Sequence, residues 1–484
     1  MWYDINRFHI LAFITWQFAN YFAGQNIFGI YANYVPKWRC GNSELTDNCQ
    51  VYFSCPKRNL TFDAYPFYST ALEFDWICGS NAFYRTFFLQ IQFAGLLVGT
   101  LLFGSLSDQY GRRPIGIYAT AGGMGTSILS SLAPSANALF IVRFFVGLTL
   151  GGMLVVLCAW IMEVILPQQR MVLRGLFNWG WTRIALTTVC YFTQHWRLSC
   201  FVTGCTLVPA LFLVLKVIPE SPVWLHSKGK YDEMVASEKK IARIAGIPYV
   251  PIHHSSIQPK GLLETLKTKG MLNKLLVLWS MWLIVAICGG AIDLNSGTLA
   301  GNLYLNQLLF GILLVFSKML LLFVDTFCPN FKRRTLHQGS LLGVLLCIGV
   351  LTGFTMENYH GIGVLITYLL GTAFIEYTWD ACYLCAVELV ETPSRACATG
   401  TCSLVARIGM IIAPMLLHAN TFWPFAVNAI VTILGTISLM ISYFFLTESK
   451  GVNLDDVRMD ETENIPEAEE LMMEVQKVRE DNLT

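Results

Sequence analysis

Long apolar stretches broken by short polar ones dominate this chain. Twelve runs nearly free of charge stand out, at about 10–32, 86–107, 114–133, 138–160, 172–193, 198–217, 274–294, 303–324, 336–355, 362–387, 398–418 and 422–446. A bilayer crossing needs about 20 mostly apolar residues, so the pattern predicts an all-α membrane protein with twelve transmembrane helices. The first run carries Gln17, Asn20, Gln25 and Asn26 and has no small-residue cleavage site after it, so it is expected to remain as a crossing.

The polar intervals orient the array. Arg112 and Arg113, Arg170 and Arg174, the Lys-rich stretch 226–274, Lys332 with Arg333 and Arg334, and Arg395 alternate with short loops near 134–137, 295–302, 356–361 and 419–421 that hold no Lys or Arg. Because translocated short loops are poor in basic residues, both termini are expected in the cytoplasm. The long loop 33–85 then lies outside. It holds Cys40, Cys49, Cys55 and Cys78, an even number with three possible pairings, and the acceptor sequence Asn59-Leu60-Thr61, so disulfides and a glycan on Asn59 are expected there. The division expected is 1–217 for a first six-helix bundle, 218–273 for a cytoplasmic connector, 274–446 for a second bundle and 447–484 for an acidic tail.

Composition agrees with a membrane protein. Of 484 residues 54% are hydrophobic and 13% charged, against about 25% charged in soluble domains. A net charge of +1 gives no basic field for nucleic acid. No metal-ligand spacing, Walker-type phosphate loop, His-Glu-x-x-His or Gly-x-Ser-x-Gly occurs, so no cofactor, resident metal, ATP-driven pumping or enzyme activity is expected. The expected partners are a small organic ion as substrate and the lipid bilayer itself.

The halves echo one another at an offset near 225 residues, the mark of a duplicated transporter core. Glu163 and Arg170 are answered by Glu388 and Arg395. Asp108 with Arg112 and Arg113 is answered by Asp325 with Arg333 and Arg334, and Pro219-Glu220-Ser221 more loosely by Thr447-Glu448-Ser449. Acids and bases placed at one mouth of both halves make a breakable latch, in which ion pairs and carboxylate contacts to helix N-termini separate as the halves rock.

The segment Gly104-Ser-Leu-Ser-Asp-Gln-Tyr-Gly-Arg-Arg113 resembles the signature loop of the major facilitator superfamily. Pro219-Glu-Ser-Pro-Val-Trp-Leu225, Glu388 through Arg395, Ala406-Arg-Ile-Gly409 and the loop ending Glu73-Phe-Asp-Trp-Ile-Cys78 are similar to its organic anion, organic cation and zwitterion solute carriers, closest to the organic anion branch. The resemblance implies two pseudo-symmetric six-helix bundles working by alternating access around a central site. Gln109 and Val223 stand where the family usually carries arginine.

Charges inside the membrane are functional-site candidates by default. Arg407, in the middle of run eleven, occupies by resemblance the place where organic anion carriers have arginine and cation carriers aspartate; its guanidinium suits a carboxylate or sulfate. Lys318 in run eight matches a lysine of the anion branch, or else snorkels to the nearby interface. Arg183 precedes Arg407 by 224 positions and adds a third cation to the expected cavity. Glu376 and Asp380 share a helical face in run ten, with Tyr383 a turn further on. Three cations and two carboxylates that neutralise one another would leave one positive site. Trp279, Trp282, Phe310 and Tyr377 are candidate lining residues, while Gly95, Gly99, Gly147 and Gly151 fit close helix packing. The leading reading is an organic anion carrier. The second is a cation or carnitine-like zwitterion carrier decided by Glu376 and Asp380. The third, from the loss of basic residues at Gln109 and Val223, is a transport-inactive accessory subunit with a membrane partner.

Overall fold

The computed structural model describes residues 6–56, 58–63, 65–165, 175–250, 262–267, 270–299, 301–327, 332–359, 361–390 and 392–446. The first half contributes α1 (Arg7–Ala23), α2 (Phe83–Tyr110), α3 (Arg112–Ser131), α4 (Ala136–Val164), α5 (Trp179–Thr193) and α6 (Trp196–Cys205), the last continuing through further helical turns to Val217. The second contributes α7 (Met271–Asn295), α8 (Leu303–Phe327), α9 (Arg333–Met356), α10 (Ile362–Glu388), α11 (Thr392–Ala419) and α12 (Ala426–Phe445). Among the described residues nine helical segments are long and apolar enough to cross a membrane. The other three, α1, α3 and α5, are shorter or richer in Gly, Ser and Thr, but they pack within the same bundle.

Run one is broken where its polar residues lie. After α1 comes a tight turn at Gly24–Asn26 and a short helix at Gly29–Ala32. The Gln25 side chain is drawn inward, donating to the Thr203 hydroxyl at 2.8 Å. Elsewhere side-chain caps set the helix starts, as where Asn6 accepts the His9 N–H and the His9 ring accepts the Asn6 N–H. One apolar core joins residues from Phe8 to Ala245 and takes in Leu294, Leu303 and Tyr304 of the second half, and another joins Met271 to Leu446.

Within the first half α2 and α4 touch backbone to backbone. A Cβ on Gly95 would lie 2.0 Å from the Phe144 carbonyl oxygen, and one on Gly147 1.9 Å from that of Gln92. Only glycine permits that approach, which gains dispersion contact where lipid supplies no hydrophobic drive between helices.

The long loop is a folded unit. Antiparallel strands β1 (Trp38–Cys40) and β2 (Leu60–Phe62) pair Trp38 with Phe62, Cys40 is bonded to Cys55, and Cys49 is bonded to Cys78. The unit is anchored on the turn between α5 and α6. Tyr68 N–H donates to the Gln194 carbonyl at 2.9 Å, Trp196 N–H returns a bond to the Tyr68 carbonyl at 3.0 Å, and Glu73 pairs with Arg197. Burial pushes the Glu73 carboxyl up, but hydrogen bonds from Arg197 and Trp196 outweigh it and hold it below its ordinary value, so it is ionised at neutral pH. This side of the molecule is called the loop end below, and the opposite side the basic end.

Of the connector, helices at Pro222–Ser227 and Tyr231–Ala245 pack on the first half, where Trp224 Nε1 donates to the Asp108 carbonyl at 3.1 Å. Arg170, the stretch 251–261 and the tail 447–484, with Thr447-Glu448-Ser449, lie outside the described residues.

Candidate functional site

At the basic end each half carries a triad. Gly111, with φ +112°, turns the chain from α2 into α3, and a Cβ there would lie 2.5 Å from a Glu220 carboxylate oxygen. Glu220 accepts the backbone N–H groups of Arg112 at 2.9 Å, Arg113 at 3.1 Å and Ser221 at 2.9 Å, which caps the start of α3. Burial nevertheless raises the Glu220 carboxyl above its ordinary range. The Arg112 guanidinium pairs with Glu163 at 2.9 Å and with Asp108. In the second half Arg333 pairs with Asp325 at 2.5 Å and Glu388 at 3.1 Å, repeating the Asp-Arg-Glu set.

Several partners differ from those the spacing suggested. Arg113 donates to the Val214 and Leu215 carbonyls at 3.3 and 2.7 Å, and Arg334 to the Tyr443 carbonyl at 2.6 Å. Arg395 reaches the Val390 carbonyl at 3.5 Å. Among the described residues the ion pairs of each triad are made within one half, by helices that pack side by side in the same bundle.

Deeper in the molecule the charges separate. Lys318 does not snorkel; its Nζ turns to Asp380 at 2.6 Å and Glu376 at 3.0 Å, with all three side chains at most 17% exposed. Arg183 pairs with Asp293 at 2.5 Å, and its guanidinium carbon lies 5.3 Å from the Phe310 ring centre. Mutual cancellation of three cations by two carboxylates is therefore corrected: a third carboxylate, Asp293, takes Arg183, and Lys318 holds the other two. Arg407 has no hydrogen-bond or ion-pair partner among the described residues, and its Nε is buried without one. Arg407 is one turn from Ile411 on α11, whose carbonyl accepts from Gln90 of α2 at 3.3 Å, so it stands on the face turned toward the first half.

Sequence reasoning missed Asp293, at the end of run seven, and Arg143, inside run four. Arg143 is fully buried, donating to Gln25 at 2.6 Å, Gln92 at 3.4 Å and the Cys200 sulfur at 3.0 Å, with its guanidinium against the Phe28 and Phe88 rings. The signal that picked out Arg183, a charge within an apolar run, would have found both. Of the candidate lining aromatics, Trp279 donates to Thr401 and Trp282 to the Cys382 carbonyl, Tyr377 donates to the Ser317 carbonyl, and Phe310 is fully buried. Tyr383 is half-buried against the second core.

Helices of membrane-crossing length, ion pairs between them and a stapled loop at one end describe a multi-pass membrane protein. The model of the sugar (and other) transporter family matches residues 47–460. An uncharacterized protein of Caenorhabditis elegans, F23F12.3, is 34% identical, covering 93% of this chain and 94% of that one. Solute carrier family 22 member 15 of Xenopus tropicalis is 28% identical over 72% of this chain and 67% of its own. In fold the chain is similar to the proton:xylose symporter XylE bound to 6-bromo-6-deoxy-D-glucose, with a TM-score of 0.62 at 16% identity over 93% of this chain and 97% of that one. The chain belongs to the sugar (and other) transporter family and has the major facilitator fold, with members of solute carrier family 22 among the relatives it resembles.

Proposed function

We propose that this transporter carries amphipathic organic anions by alternating access, secondary-active or facilitative, and that Arg407 receives the anionic group. The observation that carries the reading is the guanidinium without a counter-charge on the face of α11 turned toward the first half. A half-buried cation with no resident partner is short of hydrogen bonds, and a carboxylate or sulfate that docks on it supplies charge-assisted ones. Charged hydrogen bonds are worth about 1.5–3 kcal/mol, so Arg407→Ala should reduce anion uptake roughly 10- to 150-fold with surface expression unchanged. Unchanged anion kinetics in that variant would overturn the role.

A second reading rests on the cluster where Lys318 faces two carboxylates, which leaves one negative charge in excess among those three groups. A zwitterion would place its carboxylate on Arg407 and its cationic group near Glu376 and Asp380. Uptake of a labelled organic anion, an organic cation and carnitine, with Arg407→Asp alongside, separates the readings. No uptake of any of them by protein at the cell surface would favour the accessory-subunit reading. The orientation proposed, loop end outside a plasma membrane with both termini cytoplasmic, places exposed Asn59 where glycans are added. Endoglycosidase should then increase the mobility of the wild type on a gel and leave Asn59→Gln unshifted.

A further inference from the structure

The halves meet at the loop end through a small set of contacts. Tyr304, at the start of α8, brings its hydroxyl to the Pro66 carbonyl at 2.8 Å and the Cys190 carbonyl at 3.2 Å, and its ring stacks on Tyr31 with centres 6.1 Å apart. A Cβ on Gly297 would be 3.0 Å from the Ile30 side chain. Tyr31 in turn donates to Thr187, one turn along α5 from Arg183. Of the ion pairs made between described residues, Arg183 with Asp293 alone joins the first half to the second.

That pair is built unlike the others. Arg112 uses Nε and both terminal nitrogens, on Glu163, Asp108 and Ser107. Arg183 bonds through one nitrogen; its Nε and Nη1 are buried without partners, although the side chain is 1% exposed. A permanent buried ion pair is stabilising only when further hydrogen bonds satisfy its remaining groups. A singly bonded guanidinium gives up less when the pair parts, and Asp293, 25% exposed, has water to return to.

We propose that Arg183 with Asp293 is the releasable bolt of the loop-end seam, made when the halves close there and parted when they open, with Tyr304 as its cover. Asp293 is thus a positioning residue for the transport cycle. The inference rests on the carrier reading and not on which ion is carried, and it ties the stapled loop to gating, since Pro66 of that loop is one of the groups Tyr304 holds.

Cys190 supplies a native reporter, being fully buried beneath Tyr304. The experiment is the rate at which a membrane-impermeant thiol reagent, applied to intact cells, labels Cys190, with Cys190→Ser giving the background. Asp293→Asn should raise the rate at least about tenfold, the counterpart of losing one charged hydrogen bond. Tyr304→Phe should raise it also, and Asp293→Glu should label near the wild-type rate. A surface-expressed Asp293→Asn that labels at the wild-type rate overturns the proposal. Should that variant not reach the surface, Arg183→Gln with Asp293→Asn removes both charges, and wild-type labelling of the double variant overturns it equally. The assay needs no substrate, so it can fail while anion uptake through Arg407 stands, and the glycan on Asn59 reports the orientation separately.

Discussion

Replacing Lys318 by alanine is expected to cost about 3–5 kcal/mol, because it strips the cation from carboxylates that cannot return to water. Lys318 Nζ sits 2.6 Å from Asp380 and 3.0 Å from Glu376, and these acids stand one turn apart on α10. Without the ammonium two like charges would face each other in a medium that screens them poorly. The variant should aggregate or unfold at a markedly lower temperature in detergent by fluorescence-detected size exclusion. Adding Glu376→Gln and Asp380→Asn to Lys318→Met should recover most of the loss. A single variant as stable as the wild type would mean that Lys318 is not what holds these carboxylates.

Gly147→Leu is expected to destabilise by about 3 kcal/mol or more through overpacking against atoms that cannot rotate away. Even the first carbon of the new side chain would fall 1.9 Å from the Gln92 carbonyl oxygen. Helices α2 and α4 would have to part, and Gln92 would leave Arg143, which has no carboxylate partner among the described residues. Gly125→Ala on α3 is the control, because nothing lies within 4 Å of a Cβ there; it should be neutral or slightly stabilising, as alanine is favoured over glycine in a helix. Equal melting temperatures for Gly147→Leu and the wild type would show that α2 and α4 can separate freely.

The helical layout was legible because crossing a bilayer requires long uninterrupted apolar runs, and the two triads because their acids and bases recur at similar offsets. Their pairings were not. Glu163 stands out in the sequence by a spacing that Glu388 repeats, and only the packing of α3 against α4 brings it to Arg112, 51 positions earlier. Asp293 is 110 positions from Arg183, and no local periodicity links run seven to run five. Lys318 was ambiguous for a related reason: a lysine about two turns from the end of an apolar run can reach the interface, and only the neighbouring helix reveals two carboxylates closer at hand. The pairing of four cysteines was left open among three choices for the same cause, since it depends on how β1 and β2 fold back. Arg407 was found from its place in an apolar run, but that it lacks a counter-charge is a fact of three dimensions.

Arg113 bonds to the carbonyls of Val214 and Leu215, which lie in a stretch where α6 widens and Ile218 N–H reaches back five residues to the Leu213 carbonyl at 2.9 Å. Such a widened turn is an ordinary helix with one residue too many. The extra residue is absorbed within that turn, so the chain on either side of it keeps its phase. Ile218 N–H is committed to Leu213, and Pro219 has no N–H to give, so the Val214 and Leu215 carbonyls stand free of helical donors and are left for Arg113. The arginine is thus held by backbone acceptors that a regular helix running on past Ile218 would have used itself, and substitutions among Leu, Val and Ile here should leave that contact intact.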